Sequence, residues 1–340
     1  MTKRTEKIAV LGGGSWGIAI SILIHKNGYP VRLWEHFKDE CRLLRETRQQ
    51  PDKLPGVEIP AEIEITNDLA EALADVHGVL VVVPSHVFRD TVRRARNHLA
   101  GSVRFIVSLA KGIENNSLCR MSEVLLQELP ELFHASVAAL SGPSHAEEVS
   151  VSIPTTVVVA ANAQHVAELI QEVLTNSTFR VYTSSDLIGV ELGGSLKNVI
   201  AIAAGISHGL GLGDNTMGAL VTRGLAEMVR LGTKMGADPM TFAGLSGIGD
   251  LITTCTSRHS RNRYVGEQLG KGRQIDDIVG SMKMVAEGVK TTKSAYQMSL
   301  KYGVDMPMTA EVYQIIFEGK DPAAALNDLM SRPPKPEVWS

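Results

Sequence analysis

The chain has 340 residues, 44% of them hydrophobic and 21% charged, and a formal net charge of −3. That length exceeds one compact core, so two domains are expected, and the near-neutral balance gives no support for a nucleic-acid surface. Cys41, Cys119 and Cys255 are odd in number and lack CxxC or Cys/His spacing; they read as free thiols of a reducing compartment, with no metal site. The opening MTKRTEK leads into a strand-like run without a signal-peptide pattern, and no apolar run reaches the ~18 residues of a membrane span. A cytoplasmic protein with no membrane span is expected.

In chain order, residues 8–11 are a short apolar run and 16–26 follow with helical spacing. Residues 31–34 are strand-like, and VLVVV at 79–83 is a β-branched run of the kind buried on both sheet faces. Residues 105–110, 136–140, 155–160 and 179–182 also read as strands, with helix-like segments such as 68–74 and 87–99 between them. This alternation predicts an α/β domain with a doubly wound, mostly parallel sheet. From residue 186 onward the texture is helical, with 187–206, 218–235 and 291–301 as examples and no convincing strand. The boundary is placed near residue 188, dividing the chain into 1–188 and an all-helical 189–340. The tail PPKPEVWS reads as extended.

The first strand runs into GGGSWG, in which Gly12, Gly14 and Gly17 fit G-x-G-x-x-G. The first glycine permits the tight turn, the second lets a pyrophosphate approach the backbone, and the third lets helix and strand pack closely. The helix N-terminus then offers unpaired N–H groups to the phosphates. With 31 glycines in the chain, random placement alone gives about 0.25 such matches, so the pattern is weak until its setting is counted. Here it follows a strand, opens a helix, and precedes a second strand, VRLW, which together predict a dinucleotide site. Glu35 and His36 come next, where the adenosine ribose should lie. An acid there favours NAD through the 2′-hydroxyl and a cation tolerates the 2′-phosphate of NADP. Glu35 can equally be a solvated turn residue, and the choice between NAD and NADP stays open.

Ligands of open α/β sheets sit outside the carboxyl ends of the strands. VLVVVPS ends at Pro84 and Ser85, FIVSLAKGIE puts Lys111 just past a buried strand, and VAALSGPSHAEE places Ser141, Gly142, Pro143 and Ser144 in a small-residue turn. Lys111 suits a phosphate or carbonyl oxygen, although a lone loop lysine is more often only exposed. Pro143 would suit the first turn of the helix after it.

In the helical half, Lys197 stands among Leu, Val, Ile and Ala, next to Asn198. Such a lysine either snorkels to solvent or is kept buried, where it loses its proton more easily and becomes usable as an acid or base. Asp250 follows a glycine-rich turn and reads most plainly as a helix N-cap. Ser260, Arg261 and Asn262 supply hydroxyl, guanidinium and amide in a row, apt for phosphate but also ordinary in a polar loop.

Taken together, GGGSWG, VVVPSH, SLAKGIE, LSGPSHAEE, ELGGSLKNVIAIAAGI, AGLSGIGDLITTC, SRHSRN and MVAEGVKT closely resemble the bacterial NAD(P)-dependent glycerol-3-phosphate dehydrogenase family, over nearly the whole chain. The resemblance implies a Rossmann-like N-terminal domain, a helical C-terminal domain, and reversible hydride transfer between sn-glycerol 3-phosphate and dihydroxyacetone phosphate, supplying phospholipid synthesis. It implies dinucleotide contacts from Ser15, Trp16, His36, Lys111, Ala146, Arg261, Val285 and Glu287. It implies a substrate site of Lys111, Gly142, Ser144, Lys197, Asp250, Ser260, Arg261 and Asn262, with Lys197 as proton donor and acceptor. Position 36 is often arginine in this family; the histidine here is a weaker, pH-dependent partner for a 2′-phosphate. The implied partner is a small phosphorylated triose, with a homodimer left open. Two neighbouring lysines, 111 and 197, should each lower the other's pKa.

Overall fold

The structure is a computed structural model and describes residues 4–334 and 336–337. Eight strands form one sheet: β1 (Lys7–Leu11), β2 (Val31–Trp34), β3 (Glu64–Thr66), β4 (Val76–Val81), β5 (Phe105–Ser108), β6 (Val137–Ser141), β7 (Thr155–Ala161) and β8 (Phe179–Ser184). Their order across the sheet is β8-β7-β6-β5-β4-β1-β2-β3. Every pairing is parallel except β6 with β7. The chain winds outward from β1 in one direction through β2 and β3, then returns to β4 and winds in the other. The switch between β1 and β4 opens a crevice at their carboxyl ends, the place where such sheets bind ligands.

Successive residues of a strand face opposite sides, and both sides are covered. Val10, Leu33, Leu80 and Val107 join one cluster with Ile18 and Ile24 of helix α1 (Ser15–Lys26) and Ile170 of Gln164–Leu174. Ala9, Leu11, Val79 and Val81 join the other with Phe88 and Val92 of Ser85–Ala95 and Val124 and Leu125 of Met121–Glu128. This explains why VLVVV shows no alternation: neither face meets water.

The strand readings stand to within two or three residues at their ends. A short hairpin, Gln49–Gln50 with Leu54–Glu58, and strand β3 were not anticipated. They are two to five residues long, too short to give a periodic signal. Pro143 does not open a helix: the following helix is Ala146–Ser150, with His145 at its N-cap. The tail expected to be extended lies partly outside the described residues.

Beyond β8 the described chain is helical. Helix α2 (Leu187–Gly209) runs through the middle, and nearly every residue from 189 to 207 is buried. By length and a mean hydropathy of 1.4 this helix is apolar enough to cross a membrane, but Glu191 and Lys197 interrupt its apolar run and 94% of its window is buried inside the fold. It packs against α3 (Asp250–Thr256), α4 (Arg261–Gly270) and α5 (Glu287–Tyr302). The α2–α4 crossing is backbone to backbone. A Cβ on Gly205 would land on the Arg263 carbonyl, and one on Gly266 on the Ile202 carbonyl. This approach carries Arg261 and Asn262 toward the Lys197 end of α2.

Candidate active site

The glycine loop has the shape its sequence requires. Gly12 has φ of 130°, which L side chains rarely adopt, and its space is closed by the Val82 carbonyl. A Cβ on Gly17 would strike the Gly12 carbonyl oxygen, so only glycine lets α1 start this close to β1. Gly14 is different: nothing lies within 4 Å of the place its Cβ would occupy. It is the N-cap of α1, and no side chain caps the helix. An open cradle, uncapped N–H groups and the positive end of a twelve-residue helix are what a pyrophosphate needs, so these residues fit a dinucleotide. Ser15 Oγ lies 2.7 Å from the Lys53 carbonyl and 3.3 Å from Met284 Sδ. The segment holding Met284 thus bridges from the helical half, assisted by a Lys283–Asp52 ion pair at 2.6 Å. Trp16 is half-buried against the core. His36 packs edge-on to Phe37, with Nδ1 3.4 Å from the Arg94 guanidinium.

Around the crevice, Lys111 Nζ donates to the Gly142 carbonyl at 2.8 Å and to Asp250 Oδ2 at 2.9 Å, and lies 3.3 Å from Ser144 Oγ. Lys197 Nζ donates to Asp250 Oδ1 and, at 2.7 Å, to Thr254 Oγ1. Asp250 therefore bridges two ammonium groups, one from each half of the chain. Both Lys197 and Asp250 are buried, so the snorkelling alternative is excluded. Nor does Asp250 cap its helix: Gly249 holds that position.

Burial pushes the Lys197 ammonium down to about 8, with Asp250 opposing and Lys111 adding to the fall. Both causes expected from the sequence, burial and the neighbouring Lys111, act on Lys197, and burial is the larger. Burial works to raise the Asp250 carboxyl, but the two ammonium groups outweigh it and hold Asp250 below its usual range. At neutral pH the cluster is a carboxylate between two cations.

Asn198, one residue beyond Lys197, ties the elements together. Its Nδ2 donates to the Lys111 carbonyl at 3.2 Å, and its Oδ1 accepts from Asn262 Nδ2 at 2.9 Å. Asn262 Oδ1 accepts the Gly288 N–H at 2.9 Å. Ser260 is the N-cap of α4, its Oγ accepting from the Arg263 N–H at 3.2 Å. Arg261 keeps solvent access and donates to the Val285 carbonyl at 2.8 Å. Glu287 reaches across the crevice to Ser85, accepting from its N–H at 3.2 Å and its hydroxyl at 2.5 Å. Ala146 is buried beside α1.

Thr254 was not singled out from sequence. It lies four residues after Asp250, on the same helix face, so the spacing was available once Asp250 was known to point inward. A second link between the halves, Arg120 and Ser122 to the buried Glu191 of α2, gave no local signal.

The chain matches the family model described as the NAD-dependent glycerol-3-phosphate dehydrogenase N-terminus over residues 7–167 and that of the C-terminus over 186–327. It is 51% identical to glycerol-3-phosphate dehydrogenase [NAD(P)+] of Chlorobium luteolum over 330 residues, 97% of this chain and 99% of that one. It is 50% identical to the Geobacillus thermodenitrificans protein of the same name, over 98% of this chain and 97% of that one. The crystal structure of glycerol-3-phosphate dehydrogenase from Coxiella burnetii matches with a TM-score of 0.91 at 37% identity, covering 96% of this chain and 99% of that one.

Proposed function

The chain belongs to the NAD-dependent glycerol-3-phosphate dehydrogenase family, and from that premise we propose which of its groups carry the reaction. It is an NAD(P)-dependent oxidoreductase that interconverts dihydroxyacetone phosphate and sn-glycerol 3-phosphate. The observation that carries the assignment of roles is the Lys111–Asp250–Lys197 bridge at the carboxyl end of β5.

When bound, the nicotinamide supplies or accepts the hydride. The protein holds the substrate and manages charge and proton. In the reducing direction, negative charge grows on the carbonyl oxygen as the carbon is reduced. The Lys197 ammonium, largely protonated at neutral pH, stabilises that charge and delivers the proton, leaving a neutral amine. Asp250 keeps the ammonium aimed and raises its proton affinity against burial. Lys111 adds a second positive charge. In the oxidising direction the neutral amine takes the hydroxyl proton. Arg261, Asn262 and Ser144 are assigned to the triose phosphate, with Gly142 and Ser260 shaping that end. Gly12, Gly14, Ser15, Trp16 and Gly17, with His36, Ala146, Val285 and Glu287, are assigned to the dinucleotide.

The division into residues 1–188 and 189–340, a cytoplasmic location and supply of glycerol phosphate to phospholipid synthesis complete the proposal. The test is initial-rate turnover of dihydroxyacetone phosphate against 2-keto and 3-keto acids, with NADH and with NADPH. Preference for the triose phosphate supports the proposal; turnover of a keto acid alone refutes it.

A further inference from the structure

Glu35 follows the last residue of β2, where the sequence leaves two readings open: a solvated turn residue or a partner for the adenosine ribose. The side chain is 5% exposed, so it is not solvated. Its Oε1 accepts the Phe37 N–H at 2.9 Å, which fixes the carboxylate. Its Oε2 has no protein donor among the described residues and is not a closed-off orphan. That oxygen sits over the glycine loop: a Cβ on Gly13 would collide with it. One carboxylate oxygen is thus anchored and the other is held free, one residue from the open cradle at Gly14.

The groups that could welcome a 2′-phosphate lie elsewhere. Arg94 stacks over Trp34 at 5.8 Å and meets His36 at 3.4 Å. Trp34 packs in the cluster on the sheet face opposite α1, whereas Glu35 faces Gly13, where an added Cβ would meet both its carboxylate and Leu44 of the α1-side cluster. A fixed carboxylate next to a 2′-phosphate brings like charges together at a site with restricted water. The same carboxylate accepts a hydrogen bond from a 2′-hydroxyl.

We propose that Glu35 is the cofactor-selecting residue, that its Oε2 receives the adenosine 2′-hydroxyl, and that this chain therefore uses NAD(H) in preference to NADP(H). The proposal rests on the dehydrogenase reading above and adds to it the choice of cofactor. Hydrogen bonds to a charged acceptor contribute about 1.5–3 kcal/mol, which is roughly a tenfold to hundredfold change in affinity.

The experiment is equilibrium titration of the full chain with NADH and with NADPH, without triose, followed by nicotinamide fluorescence. It is repeated on Glu35→Gln and Glu35→Ala, with initial rates on dihydroxyacetone phosphate measured alongside. Expected are NADH binding at least ~10-fold tighter than NADPH in the parent, and collapse of that ratio in both variants through weaker NADH and unchanged or tighter NADPH binding. Glu35→Gln keeps an acceptor for the Phe37 N–H, so it separates loss of charge from loss of the turn. A parent that binds NADPH as tightly as NADH overturns the proposal, even if neither variant folds. So does a ratio that both folded variants leave intact. A Glu35-dependent preference without any triose turnover upholds this inference and refutes the substrate assignment. Triose turnover together with equally tight binding of NADH and NADPH does the reverse.

Discussion

Replacing Asp250 by Asn removes the charge between the two lysines while keeping the side chain's size. Asp250 is the main group raising the Lys197 pKa against burial, and with that support in place it stands at about 8. Two charges about 4 Å apart interact by roughly 4 kcal/mol at an effective dielectric of about 20, and relaxation and water will absorb part of that. A residual of ~2.7 kcal/mol corresponds to about two pKa units, so the Lys197 amine in Asp250→Asn should lose its proton about two pH units lower. Breaking a buried pair from one side also costs about 3–5 kcal/mol of stability. The assay is single-turnover reduction of dihydroxyacetone phosphate by NADH from pH 6 to 10, following nicotinamide absorbance. In the parent the rate should fall as pH rises through about 8, because the proton donor is lost; in the oxidising direction it should rise over the same range. In Asp250→Asn both limbs should move to lower pH. A folded variant that keeps its limbs at the parental pH would falsify the claim that Asp250 controls the Lys197 proton.

Lys197→Ala should lower turnover by about 10²–10⁴-fold and leave NADH affinity nearly intact; near-parental turnover would remove Lys197 from the chemistry. Arg261→Ala should raise the Michaelis constant for dihydroxyacetone phosphate more than it lowers turnover, and an unchanged constant counts against its phosphate role. Gly14→Ala should fold with a parental melting temperature yet bind NADH at least ~10-fold more weakly, because its Cβ enters open space that the pyrophosphate needs. Gly17→Ala should instead lower the melting temperature, since its Cβ meets the Gly12 carbonyl and overpacking of this kind costs about 1–3 kcal/mol. Equal effects on melting from the two substitutions would show that the glycines have no separate roles.

The features legible along the chain are those whose physics is local. A tight turn needing positive φ at Gly12, a helix start at Ser15 and buried strands such as Val76–Val81 are set by neighbours a few residues away. The placement of Lys111 just past β5 followed from the same strand reading. The direction of β7 did not: antiparallel pairing with β6 depends on where the chain returns, not on composition.

Lys197 marks the limit from the other side. Amphipathic periodicity tells a buried face from a wet one, but α2 is buried almost all round, so its pattern holds no information about where an ammonium points. Asp250 looks like a helix cap from its flanking residues, and only the fold reveals partners 53 and 139 positions away in the chain. Glu35 is undecided until the fold buries it with one carboxylate oxygen set over Gly13. The sequence alone determined the shape of the glycine loop, because turn and helix-start chemistry act within a few residues. The tertiary structure decided which charges meet, because burial and long-range pairing, which set a proton's affinity, exist only once the two halves have packed together.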